Sequence, residues 1–136
     1  MNVTTPPQST AAWKLRTGYA LSCLVILFML MDVAMKLLRL PIVLETTAQL
    51  GWPSDSAMPL GVVLLLCTAL YAWPRTSVLG ALLLTAYLGG AVATHARIGS
   101  PLLSHTLFGV YLGILAWGGL WLRDPGLRVI FPLRQA

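Results

Sequence analysis

The sequence predicts an all-α integral membrane protein, a bundle of four transmembrane helices. Four apolar stretches, approximately Gly18–Leu38, Pro59–Trp73, Thr76–Thr94 and His105–Leu122, fill most of the 136 residues. A bilayer's hydrocarbon core needs about 20 residues of helix, with ~17–25 the usual range. Charged residues make up 10% of the chain and hydrophobic residues 57%, whereas a soluble domain carries about 25% charged residues to wet its surface. Mean hydropathy is +0.80. With lipid as the solvent, each polar group inside a span requires a reason.

Residues 1–12, rich in Thr, Pro, Gln and Ser, have too little apolar surface to pack and read as a flexible tail. Residues 13–136 form one transmembrane domain, with helices at approximately 17–40, 57–73, 76–95 and 103–122. The first span follows Lys14 and Arg16, as a signal peptide would. No small-residue cleavage pattern succeeds it, and Asp32, Lys36 and Arg39 come instead, so a retained helix is expected. Trp13 and Tyr19 bracket its entry into the membrane, where amphipathic rings concentrate. Pro41 ends it, because proline interrupts the helical hydrogen-bond ladder.

Between the first two spans, Leu44, Ala48 and Leu50 are spaced for a short amphipathic turn on the membrane surface, with Glu45 and Gln49 toward water. Gly51-Trp52-Pro53 ends that turn and Ser54-Asp55 is placed to cap the second span. Pro74-Arg75-Thr76 is too short to be anything but a tight turn, so spans two and three are antiparallel neighbours. Arg97–Pro101 makes neighbours of spans three and four. Small residues at Ala86, Gly90 and Thr94 in span three, and at Gly109, Gly113, Ala116, Gly118 and Gly119 in span four, predict a close contact between those helices. Arg123-Asp124-Pro125-Gly126 stops the last span, and residues 127–133 are expected along the membrane surface with Arg128 and Arg134 toward headgroups.

The net charge of +5 does not indicate a nucleic-acid partner, because the basic residues sit at helix ends and not in a patch interleaved with aromatics. Four spans put Lys14, Arg16, Arg75, Arg123, Arg128 and Arg134 on one side and Lys36, Arg39 and Arg97 on the other. Short basic loops favour the cytoplasm, so both termini are expected there. Cys23 and Cys67 lie inside spans without a C-x-x-C arrangement, which suits packing and not thiol redox chemistry.

Asp32, Lys36 and Arg39 fall on one narrow helical stripe. At about 1.5 Å per residue, Asp32 lies roughly 21 Å into a slab of about 30 Å. A lone carboxylate there costs several kcal/mol, and Lys36 one turn on is its natural partner. Ionisable residues inside a membrane are expensive enough to suggest function. His95 and Arg97 end span three and His105 begins span four, on the side where Lys36 and Arg39 emerge. A pocket opening away from the termini is therefore expected, with Asp32 at its floor, Tyr87 and Thr94 on its wall, and Lys36, Arg39, His95, Arg97 and His105 around it. The histidines could bond the loop backbone, serve a proton-linked or quinone-binding site, or ligate metal or haem. Two histidines without cysteine or a defined spacing argue against the last.

Leu70–Thr76, Leu88–Arg97 and Trp117–Pro125, with Met35-Lys36-Leu37 and Gln49–Pro53, resemble the DoxX-like family of small bacterial membrane proteins. The resemblance covers nearly all of the chain after Trp13, and Gly89–Arg97 is its most specific part. It implies a four-helix bundle in the bacterial inner membrane. It also implies an accessory or quinone-interacting subunit of a membrane redox system, with other redox subunits as partners and a homo-oligomer as a further arrangement. A solute or proton conduit, and an assembly protein without chemistry, are the alternatives.

The topology is open to a direct check. Thr5→Cys and Gln135→Cys should both be protected from an impermeant maleimide in intact cells, and labelling of one terminus alone would contradict an even number of spans.

Overall fold

The structure, a computed structural model, describes residues 8–133, with side chains described from Ala11 onward. Among the described residues four helices are long and apolar enough to cross a membrane: Ala11–Leu37, Ser54–Ala72, Ser77–Arg97 and Leu102–Arg123. They belong to α1 (Gln8–Leu37), α3 (Ala57–Ala72), α4 (Ser77–Arg97) and α5 (Phe108–Arg123); α2 (Pro41–Gln49) and α6 (Pro125–Ile130) are short and lie outside the spans. The chain is all-α among the described residues, as its composition requires.

α1 begins at Gln8, earlier than its expected start near residue 17. Ala11, Ala12, Lys14, Leu15 and Arg16 are strong helix formers and carry the helix beyond the apolar run. Residues 1–7 of the expected tail lie outside the described residues, as does Arg134. At its other end α1 stops at Leu37, short of Leu40. The Arg39 N–H donates to the Lys36 carbonyl and the Leu40 N–H to that of Met35, each at 3.2 Å, with Arg39 at φ 52. This is a Schellman ending with arginine where glycine is usual. The same pair of bonds closes α2 at Gly51 (φ 80) and α4 at Gly99 (φ 69).

Two local expectations are corrected. α2 buries Val43 and Thr47, one turn apart, while Leu44 is half-buried and Ala48 exposed; Glu45 and Gln49 do face outward. Ser54 and Asp55 form a 3₁₀ turn before α3 without a side-chain cap, because the Asp55 carboxylate accepts from Arg39 at 2.9 Å instead. At the last helix end, Asp124 Oδ1 accepts from the N–H groups of Gly126 (2.9 Å) and Leu127 (3.2 Å) and starts α6. The segment after α6 folds back on α5: Trp117 stacks on Phe131 at 4.8 Å, and Trp121 Nε1 donates to the Phe131 carbonyl at 3.0 Å.

In the bundle, α1 packs against α3 and α5, and α4 packs against α3 and α5, so α1 and α4 are diagonal. Glycines set each contact, with two of them, Gly18 and Gly119, where α1 meets α5. A Cβ on Gly80 would lie 2.1 Å from the Tyr71 nitrogen, where α3 and α4 meet beside their turn. At the same end, one on Gly18 would lie 2.8 Å from the Arg123 nitrogen and the Gly119 carbonyl, joining α1 to α5. At the far end, Gly61 faces Lys36 of α1 at 2.9 Å, and Gly109 faces the Leu88 carbonyl of α4 at 3.0 Å. The expected stripe between α4 and α5 is thereby corrected to one glycine: a Cβ on Gly90, Gly113 or Gly118 would meet nothing within 4 Å.

The core contains Val25, Met29, Leu64, Leu84, Leu120 and Tyr71, each 2% exposed or less. Tyr71 ties three helices together, its hydroxyl donating to the Ala116 carbonyl at 2.7 Å and lying 3.1 Å from Ser22 Oγ. Leu24, Leu27, Leu66, Leu82 and Ile114 point outward, at least half exposed in the isolated chain, as lipid-facing residues must. Gly80→Ala should cost about 2 kcal/mol or more, because its neighbours are backbone atoms that cannot step aside. Gly113→Ala should be neutral or mildly stabilising. Thermal unfolding of both variants in detergent distinguishes these outcomes.

Candidate functional site

At the end opposite α6 the bundle opens into a cavity of about 600 Å³. It lies between the α1/α3 pair and the α4/α5 pair, and α2 covers it through Val43, Thr46, Thr47 and Leu50. Phe28, Met29, Leu88, Phe108 and Leu112 make an apolar floor, where the rings of Phe28 and Phe108 meet at 5.3 Å. Polar groups gather above this floor.

Six of the eight sequence-nominated residues line the cavity: Asp32, Lys36, Tyr87, Thr94, His95 and His105. Asp32 and Lys36 form a hydrogen-bonded ion pair one helical turn apart, with side chains 27% and 16% exposed. Thr94 returns its hydroxyl to the Gly90 carbonyl at 2.8 Å, so its polar group is already satisfied. The imidazoles of His95 and His105 face each other with centroids 6.0 Å apart. His95 Nδ1 lies 3.0 Å from Ser100 Oγ, and His105 Nδ1 lies 2.7 Å from Ser104 Oγ. Each ring therefore has its Nδ1 engaged by serine and its Nε2 left for a ligand. A π-turn over Leu102–Thr106 carries His105. The Thr106 N–H reaches back to the Pro101 carbonyl, and the Leu107 N–H to that of Leu102, each spanning five residues. This wider winding, common at functional sites, sets the ring against α4.

Arg39 and Arg97 are corrected: neither lines the cavity. Arg39 pairs with Asp55, and Arg97 Nη2 donates to the Leu50 carbonyl at 2.7 Å. A Cβ on Gly51 would lie 2.7 Å from that same nitrogen, so glycine there makes room for the guanidinium. The two arginines act on the cover instead. One ties the start of the loop to its end, and the other holds the C-terminus of α2 to the end of α4.

Sequence reasoning missed the α2 residues Val43, Thr47 and Leu50, and Trp52 after them, as lining groups. Their spacing of four and then three residues is that of one helical face and was the available signal. The methionines Met29, Met31 and Met35, adaptable fillers of irregular space, were also missed. Among the described residues no three His, Cys, Asp or Glu side chains converge on a metal-sized site.

The ion pair has a specific test. Lys36→Met leaves Asp32 facing the cavity without its cation, whereas Asp32→Asn with Lys36→Met removes both charges. The single replacement should therefore be less stable than the double by about 1 kcal/mol or more. A double variant as damaged as the sum of the singles would show that the two side chains are not coupled.

No curated protein matches the chain, and no solved structure matches it. The DoxX-like family does match, over residues 20–119. That span takes in four of the five stretches of resemblance up to Gly119, including the whole of Gly89–Arg97, and leaves Leu120–Pro125 beyond it. Since the match covers most of the chain and reaches into every transmembrane helix, this protein belongs to the DoxX-like family.

Proposed function

We propose that the cavity binds the headgroup of a membrane-soluble quinone, and that the protein is an accessory subunit of a redox system in the bacterial inner membrane. The observation that carries this reading is the cavity itself: about 600 Å³, apolar below and polar above, within a membrane span. Ligand sites are commonly ~300–1,000 Å³, mostly apolar, with a few placed polar groups. Quinone carbonyls accept hydrogen bonds; Lys36 and Tyr87 supply donors around one space, as do His95 and His105 in the tautomer that carries its proton on Nε2. The Asp32–Lys36 pair keeps the cavity near neutrality, which suits an uncharged ring better than a metal cation. Electrons would come from a partner redox subunit, and both termini would face the cytoplasm.

A conduit fits the interior less well. From Asp32 to Ser22 is about 15 Å along α1 at ~1.5 Å per residue. Between them Val25, Met29 and Leu64 are at most 2% exposed. This apolar layer separates the cavity from the polar groups around Tyr71, and a proton or polar solute would have to cross it.

Titration of the purified protein with a short-chain ubiquinone analogue should quench the fluorescence contributed by Trp52 and saturate. His95→Ala and Lys36→Met should each weaken binding roughly tenfold, the usual effect of losing one hydrogen bond to a buried ligand. Gly90→Leu should block it by filling space, since nothing lies within 4 Å of a Cβ there. Unsaturable quenching in the wild type, together with proton flux in proteoliposomes, would favour the conduit.

A further inference from the structure

A second polar cavity lies at the α6 end of the bundle, away from the first. It measures about 220 Å³ and is bounded by Tyr19 of α1, Pro74 and Ser77 at the α3–α4 turn, and Arg123, Asp124 and Pro125 where α5 passes into α6. The Arg123 guanidinium centre is 5.6 Å from the ring centroids of both Tyr19 and Tyr71. Its Nε and Nη2 are enclosed, and among the described residues neither has a hydrogen-bond partner. No carboxylate among the described residues forms a salt bridge with it: the ion pairs are Lys36–Asp32 and Arg39–Asp55, both at the other end. Asp124 is adjacent, but its Oδ1 serves the N–H groups of Gly126 and Leu127.

We propose that this is a binding site for a singly charged phosphate oxyanion at the membrane interface, with Arg123 as its principal ligand. Two enclosed guanidinium nitrogens without hydrogen-bond partners are costly to hold, and the aromatic faces beside them compensate only part of that cost. The unpartnered nitrogens are the two on one edge of the guanidinium, the edge that grips an oxyanion with parallel hydrogen bonds. A ligand that takes both requires the atoms now covering them to move aside. Arg123 closes the last turn of α5, at the end of a membrane span, which puts the site at headgroup depth. Charge around it favours an anion, since Lys14, Arg16, Arg75 and Arg128 share this end with Asp124 as the one acid among the described residues. The Asp124 carboxylate in the same lining disfavours a doubly charged phosphate and selects a singly charged one, whether a phosphodiester or dihydrogen phosphate. Backbone packing holds Arg123 in place: the absent side chain of Gly18 lets α1 sit against its nitrogen and Cβ. The site reads a singly charged phosphate whose headgroup carries no cation of its own, because Lys14, Arg16 and Arg128 at this end repel a choline; the source is either an anionic phospholipid or free phosphate.

Native mass spectrometry of the full chain in neutral detergent tests the assignment, with phosphatidylglycerol, phosphatidylcholine and inorganic phosphate as probes. The wild type should retain one phosphatidylglycerol in the presence of excess phosphatidylcholine. Arg123→Gln should weaken that retention roughly tenfold or more, as loss of a charge-assisted pair of hydrogen bonds does. Arg75→Gln, which removes only an exposed cation from the same end, should weaken it far less than Arg123→Gln does. If inorganic phosphate alone displaces the lipid and raises the melting temperature of the wild type but not of Arg123→Gln, the site is supported with free phosphate as the source. Equal retention by wild type and Arg123→Gln, or equal loss in Arg75→Gln, overturns the proposal. Should Arg123→Gln fail to fold, Arg123→Lys carries the test. That variant keeps the charge but loses the planar fork, and unchanged retention by it would equally overturn the proposal.

Discussion

Close helix approach at glycines determines the shape of this bundle. Lipid tails are as apolar as leucine, so helices in a membrane gain little from burying apolar surface against one another and depend on close fit. At the α6 end, Gly18 joins α1 to α5 and Gly80 joins α4 to α3. At the α2 end, Gly61 joins α3 to α1 and Gly109 joins α5 to α4. The first two contacts draw the α1/α3 and α4/α5 pairs together. The last two tighten each pair within itself, and nothing of the kind bridges the pairs at that end. The large cavity is the gap that this exchange of partners leaves, and its existence needs no bulky residue to prop it open.

The polar groups of the cavity follow from where that gap lies. Asp32 and Lys36 can occupy a membrane span because the ion pair satisfies both, and because the space beside them is not filled with lipid-facing side chains. His95 and His105 come from different helices yet face each other, since the loop from Ile98 to Pro101 is short and the π-turn after it rotates His105 inward. α2 lies over the opening and is held at its C-terminus by Arg97. Arg39 adopts a left-handed backbone that glycine would enter more readily, and in that conformation its guanidinium reaches Asp55 across the base of the cover.

The spans were legible in the sequence because the bilayer imposes length and hydrophobicity on each helix separately, and each can be read without knowing its neighbours. Asp32 and Lys36 were legible for the same reason, as their pairing is local to one helix. What was hidden depends on registry between helices. Gly90 and Gly113 carry the spacing associated with packing and face open space, while Gly80, whose glycine-spaced neighbours are Thr76 and the bulky Leu84, makes the closest contact of all. Arg97 looked like a pocket residue by position along α4 and turned out to serve the Leu50 carbonyl, a partner 47 residues away. A side chain's distance along a helix can be read from sequence, but its azimuth relative to a distant loop cannot.

The interior arrangement also bears on what kind of work such a bundle can do. Polar groups form two clusters, one around Asp32, Lys36 and the histidines, the other around Ser22, Tyr71 and Arg123. Between them the packing is dry, with Thr68 spending its hydroxyl on the Leu64 carbonyl of its own helix. Charge transfer from one cluster to the other would require side chains such as Val25 and Leu64, fully buried at 0% exposure, to move apart together. Close packing resists that kind of concerted opening, because interiors at crystal-like density have few voids to move into. Each cluster is therefore reached from its own membrane face, and the apolar layer that joins the helices also keeps the two apart. This favours ligand binding at the surfaces over passage through the bundle.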